Sequence, residues 1–222
     1  MSHLSLDLQL LNAFAALLLL LSFAMLSQRR VVTMVNLLAL QGVLLGLATL
    51  LLAWRTGNNH LYVSATITLA LKAIFLPWLL HRLIRRLGVY WDSEPLLNIS
   101  ATMLVGLLIV IFAFGLAQPI AALATTSTRS SIGIAVAVVL LAFLTMITRR
   151  KAMSQVVGFL SMENGLFFGA MSATYGMPMI VELGVALDVL VAMLVLGVFF
   201  FQIREQFDSL DLHHLESLKE EK

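Results

Sequence analysis

Three side chains of this sequence stand where an ionisable group is costly: Lys72 at the end of LALK, Glu163 within SMENG and Asp188 at the end of VALD, each inside an apolar run. At the centre of a membrane-spanning helix, lysine or aspartate carries an insertion penalty of roughly 2.5–3.5 kcal/mol, less when it has a partner. Burial also disfavours charge on acids and lysines alike, which brings such groups toward proton exchange near neutral pH. Proton or ion handling by Lys72, Glu163 and Asp188 is therefore the chemistry expected. An ion pair of Lys72 with one of the acids, locking helices together, is the structural alternative. Glu182, six residues before Asp188, falls one turn into its run and is expected at the outer interface. No catalytic, cofactor or metal site is expected. The chain has no cysteine, and His3, His60, His81, His213 and His214 have no metal-ligand spacing.

The elements that must position these groups are membrane helices. The 222 residues are 60% hydrophobic and 12% charged, with a mean hydropathy of +0.98, too apolar for a soluble core. The fold class is an all-α integral membrane protein of about seven transmembrane helices. The apolar runs are Leu8–Leu26, Val31–Trp54, Leu61–Ile84, Leu96–Gln118, Ser131–Thr148, Ala152–Tyr175 and Met179–Ile203. The first lacks a basic leader and a small-residue cleavage site, so it reads as a retained helix. The 119–130 loop leaves room for a re-entrant piece.

Charge sets the orientation. With the N-terminus outside, Arg29, Arg30, Arg82, Arg85, Arg86, Arg149, Arg150, Lys151, Arg204, Lys219 and Lys222 all fall on the inner side. Only Arg55 and Arg129 remain outside, so an N-out, C-in topology in the cytoplasmic (inner) membrane follows, with a cytoplasmic C-terminus. The net charge of +2 comes from these helix-flanking residues and implies no nucleic-acid partner. Trp54, Tyr62, Tyr175, Tyr90 and Trp91 lie near segment ends, as interfacial aromatics do. The chain divides on this reading into a three-helix membrane unit over 1–95, a linking helix and outer loop over 96–130, a second three-helix unit over 131–203 and a tail over 204–222.

Within the runs, Pro77 removes the backbone bond to Ala73, so a kink or opening is expected beside Lys72. Gly158, Gly165, Gly169 and Ser172 form one small-residue stripe suited to close packing. At 100° per residue, Glu163 points away from that stripe toward a different neighbour. Two halves of the chain also echo each other. Arg29, Arg30, Gln41, Gly42, Gly46 and Lys72 match Arg149, Arg150, Asn164, Gly165, Gly169 and Asp188 in order, as in a diverged parallel repeat of three-helix units.

At TRRKAMSQVVGFLSMENG, IVELGVALDVLVA and the tail LDLHHLESLK, the sequence resembles component E of the hydrogenase-4 family, the membrane-bound nickel–iron hydrogenases related to formate hydrogenlyase. Its C-terminal third is also similar to the small K subunit of bacterial respiratory complex I and its antiporter counterpart. The resemblance implies buried glutamates on two helices of a three-helix unit along the hydrophilic axis of a membrane arm. Glu163 lies one turn from the first such position, occupied here by Leu160, and Asp188 lies near the second, with aspartate for glutamate. The partners implied are other membrane subunits of a hydrogenase or complex I-like assembly, including antiporter-like subunits, within the lipid bilayer. The function implied is that of a non-redox subunit of an ion-translocating oxidoreductase, not catalytic alone. A subunit of a multisubunit cation/proton antiporter and a structural adaptor are the alternatives.

Overall fold

The computed structural model describes residues 6–57, 59–91, 98–122, 129–174, 183–184 and 186–193. The chain divides into two units, Met1–Val185 and Ala186–Lys222. The first holds helices α1 (Leu6–Ser27), α2 (Val31–Thr56), α3 (Asn59–Leu87), α4 (Ile99–Ala122), α5 (Arg129–Thr148) and α6 (Ala152–Ala173). All six are long and apolar enough to cross a membrane. Of the seventh expected run, the described residues 183–184 and 186–193 are helical. Glu182, Tyr175, the remainder of that run, residues 123–128 of the expected re-entrant loop and the 204–222 tail lie outside the described residues.

Helix α3 changes register. It is α-helical over Asn59–Thr68, π-helical over Leu69–Phe75 and α-helical again over Leu76–Leu87. The cause is Pro77, which has no N–H to give and whose ring crowds the carbonyl of Ala73. The wider turn, in which the Leu76 N–H bonds to the Leu71 carbonyl, lets the chain enter the proline without a break. The opening expected beside Lys72 takes this form, with Lys72 in the middle of the π segment. Helices α2 and α3 then stop at Gly57 and Gly88, whose φ values of 63° and 65° are the left-handed conformation that glycine adopts without strain.

Helix α2 packs against α1, α3 and α6, while α6 packs chiefly on α5, which in turn meets α4 and α1. Leu18, Leu45, Leu61, Phe168 and Met171 fill the interior between them. Leu104, Leu108, Ile111 and Phe112 on α4 are exposed, the outward apolar face expected of a helix whose solvent is lipid.

One end of the bundle is stitched by its arginines. An isolated β-bridge joins Arg30 to Trp91, the Val31 N–H donates to the Tyr90 carbonyl at 3.1 Å, and the Arg30 guanidinium stacks over the Trp91 ring at 4.6 Å. At the same end Arg149 turns inward with 3% of its surface exposed, and its Nη2 donates to the Leu26 carbonyl at 2.7 Å. It caps the last turn of α1, whose carbonyls have no partner within the helix. Arg150 and Lys151 stay exposed, so the basic triplet that reads as one flanking cluster does two different jobs.

A buried charge pair as candidate functional site

Helices α3 and α6 have little backbone contact, yet a lysine long enough to cross the gap joins them. Lys72 Nζ lies 2.7 Å from Glu163 Oε1, and both side chains are 2% exposed. The ammonium also donates to Asn164 Oδ1 at 3.1 Å and sits 5.5 Å from the centre of the Phe167 ring. Glu163, Asn164 and Phe167 come from one stretch of α6. Glu163 and Phe167, four residues apart, share a face, and Asn164 stands 100° around from the acid. The cation thus meets a carboxylate, an amide oxygen and an aromatic face together, which offsets the several kcal/mol that each buried ion loses with its water.

The lysine can lie there because of Gly42. A Cβ at that position would meet the Lys72 backbone carbonyl carbon at 2.6 Å and its oxygen at 2.7 Å, so only glycine lets the π turn rest on α2. A Cβ on Gly46, one turn later, would strike the Leu69 side chain. Helix α2 therefore carries the lysine's backbone, and α6 receives its charge.

From Asn164 a hydrogen-bond chain continues across the bundle. Asn164 Nδ2 donates to Gln41 Oε1 at 3.2 Å, Gln41 Nε2 donates to Ser22 Oγ at 3.0 Å, and the Ser22 hydroxyl donates to the Leu18 carbonyl at 2.9 Å. Lysine has donors only, so Asn164 must turn its oxygen to Lys72, and each amide downstream is oriented in sequence. Neutral amide N–H groups do not readily release protons. The chain is a strut that fixes the charge pair against α2 and α1, and the ionisable groups it holds are Lys72 and Glu163.

The fold brings Lys72 and Glu163, both singled out from sequence, into one ion pair. Asp188 belongs to the second unit, where it is a helical and buried residue of the 186–193 segment. Gln41 and Asn164 stood out as matched positions of the internal echo; here they are hydrogen-bonded to each other. Ser22 was missed. The signal for it is a lone hydroxyl residue in the run LLLLLSFAML, since polar side chains at mid-span serve as interhelical links. The glycine stripe behaves as its spacing implies. Cβ atoms on Gly158, Gly165 and Gly169 would fall 2.8 Å from Met146, 2.8 Å from Val138 and 3.0 Å from Ala135 of α5, while Glu163 faces the other way to Lys72.

A curated relative with comparable length is the uncharacterized protein Rv0085 of Mycobacterium tuberculosis, 38% identical over 187 residues, which cover 84% of this chain and 85% of that protein. The chain belongs to the family of this mycobacterial protein. It is also similar to hydrogenase-4 component E of Escherichia coli K12 and of Shigella flexneri, at 26% identity over 156 residues, 70% of this chain and 71% of the relative. No family model and no solved structure matches the chain.

Proposed function

We propose that this chain is a non-redox membrane subunit of an ion-translocating oxidoreductase complex of the hydrogenase-4 type, in which energy released in other subunits changes the protonation of its buried charges. The observation that carries the reading is the Lys72–Glu163 pair, closed at 2.7 Å inside a bundle with apolar walls. A closed pair of this kind has two states. With Glu163 ionised, the lysine is held on α6; once Glu163 takes up a proton, the attraction fades and the lysine is released. Asp188 is proposed as a further proton-exchanging group of the chain, and the π turn supplies a backbone able to change register around Lys72. Similarity to hydrogenase-4 component E supports placing this switch in a complex I-like membrane assembly. The N-out, C-in orientation, from the positive charges, is part of the same proposal.

The test is to replace Glu163 by glutamine and, separately, Asp188 by asparagine in cells that carry the variant as their only copy. Loss of proton or sodium movement in inside-out vesicles, with the complex still assembled, is the expected outcome. Wild-type coupling in both variants would remove the proposal.

A structural adaptor is the second reading, favoured by the amide strut that ties the same pair to α2 and α1. Under that reading the neutral variants lose assembly along with coupling, and no assembled but uncoupled complex is recovered.

A further inference from the structure

The last three turns of α3 carry a second, separate constellation. Trp78, His81, Arg82, Arg85 and Arg86 recur at spacings of three, one, three and one, which puts them on one face of the helix, opposite the buried Leu79, Leu80, Leu83 and Ile84. They line an open cavity of about 330 Å³. Among the described residues none of these three arginines has a carboxylate partner. The Arg82 guanidinium lies 5.5 Å over the Trp78 ring, which holds it at the cavity wall. His81 Nδ1 lies 2.7 Å from the Pro77 carbonyl. A carbonyl only accepts, so Nδ1 carries the proton and Nε2 is left as the second ring atom for a ligand.

The same face continues as an apolar track. Ile74, Phe75 and Trp78 are exposed, and the Phe75 and Trp78 rings lie 6.3 Å apart. Helical rise places Arg82 and Arg85 roughly 15–20 Å along the axis from Lys72. That is about half the thickness of a bilayer hydrocarbon core, so arginines at this distance from a mid-depth lysine stand at headgroup level.

We infer that the Trp78–Arg86 face binds one anionic phospholipid, its phosphodiester in the Arg82, Arg85 and Arg86 cup and its acyl chains along Ile74, Phe75 and Trp78. Guanidinium groups suit phosphate oxygens through paired N–H donors, and a basic cup at the end of a spanning helix fits a lipid headgroup. The apolar track distinguishes a lipid from a free anion, because inorganic phosphate has nothing to place on Ile74 and Phe75. Such a lipid would lie on the outer face of the π segment whose inner face carries Lys72.

The experiment is native mass spectrometry of the whole chain purified in neutral detergent, titrated with phosphatidylglycerol or phosphatidylcholine. The triple substitution Arg82→Gln, Arg85→Gln and Arg86→Gln is expected to weaken phosphatidylglycerol retention by on the order of 10²-fold, from ~1 kcal/mol for each cation. The matched triple Arg29→Gln, Arg150→Gln and Lys151→Gln, at the same end but outside the cup, is expected to retain the lipid. Equal loss in both triples, or no loss in the first, would overturn the assignment, as would displacement of the lipid by inorganic phosphate. A second measurement needs no arginine variant. With Trp54→Phe and Trp91→Phe leaving Trp78 alone, brominated phosphatidylglycerol is expected to quench its fluorescence more than brominated phosphatidylcholine at equal concentration. Equal quenching would sink the proposal even if the first triple fails to fold.

Discussion

Two glycine seams run through this bundle, and they use the same residue for different ends. On α2, Gly42 and Gly46 face the π segment of α3, and what a Cβ would meet at Gly42 is backbone, the Lys72 carbonyl itself. On α6, Gly158, Gly165 and Gly169 face α5, and what Cβ atoms would meet at the last two are the ends of valine and alanine side chains. A backbone atom in the middle of a helix cannot step aside without moving the helix. A valine can turn or shift by a few tenths of an ångström. Gly42 therefore sets the position of a charge, whereas Gly165 and Gly169 set only a distance between two helices. That difference also bears on the internal echo: the matched glycines at 42 and 46 pack on the helix that follows them, and those at 165 and 169 on the helix that precedes them.

The seams can be broken one at a time. Gly42→Ala should have the largest effect. It forces α3 away from α2 and draws Lys72 off Glu163, adding an overpacking cost of about 1–3 kcal/mol to the roughly 3–5 kcal/mol of a broken buried pair. Thermal unfolding in detergent would measure it, and a wild-type midpoint would show that the backbone contact is not fixed. Arg149→Met comes next. It removes the cap on the Leu26 carbonyl, and the loss of a charged hydrogen bond, about 1.5–3 kcal/mol, should appear as faster amide exchange in the last turn of α1 with the charge pair intact. Gly165→Ala should cost about 1–3 kcal/mol through Val138 and leave ion movement unchanged. Gly169→Ala, which meets only Ala135 at 3.0 Å, should be near neutral, since alanine returns about 0.8–1.0 kcal/mol of helix propensity. Equal destabilisation by Gly42→Ala and Gly169→Ala would erase the distinction between the seams.

Apolar run length located the first six helices because a spanning segment must be apolar for most of its length, whatever it packs against. The glycine stripe and the opposite heading of Glu163 were also legible, since both are properties of a single helix and follow from 100° per residue. Pro77 announced a local opening, although its π register depends on the bond between Leu76 and Leu71. What could not be read is pairing between helices distant in sequence. That Lys72 reaches Glu163, and that Ser22 ends a chain of amides, depend on which helices are neighbours, and apolar sequences carry little of that information. Arg149 was read with Arg150 and Lys151 for the same reason: a basic residue at a helix end looks alike whether it faces water or a neighbouring helix's last carbonyls.

The most direct measurement is ion movement in inside-out vesicles carrying the double variant Lys72→Gln with Glu163→Gln. Both charges of the pair go together, so neither is left facing an uncharged partner, and the side-chain amides keep donors and acceptors for Asn164 and for each other. The expected result is a complex that assembles with near wild-type stability and moves neither protons nor sodium. An assembled double variant that translocates at the wild-type rate would contradict the claim that this pair handles charge.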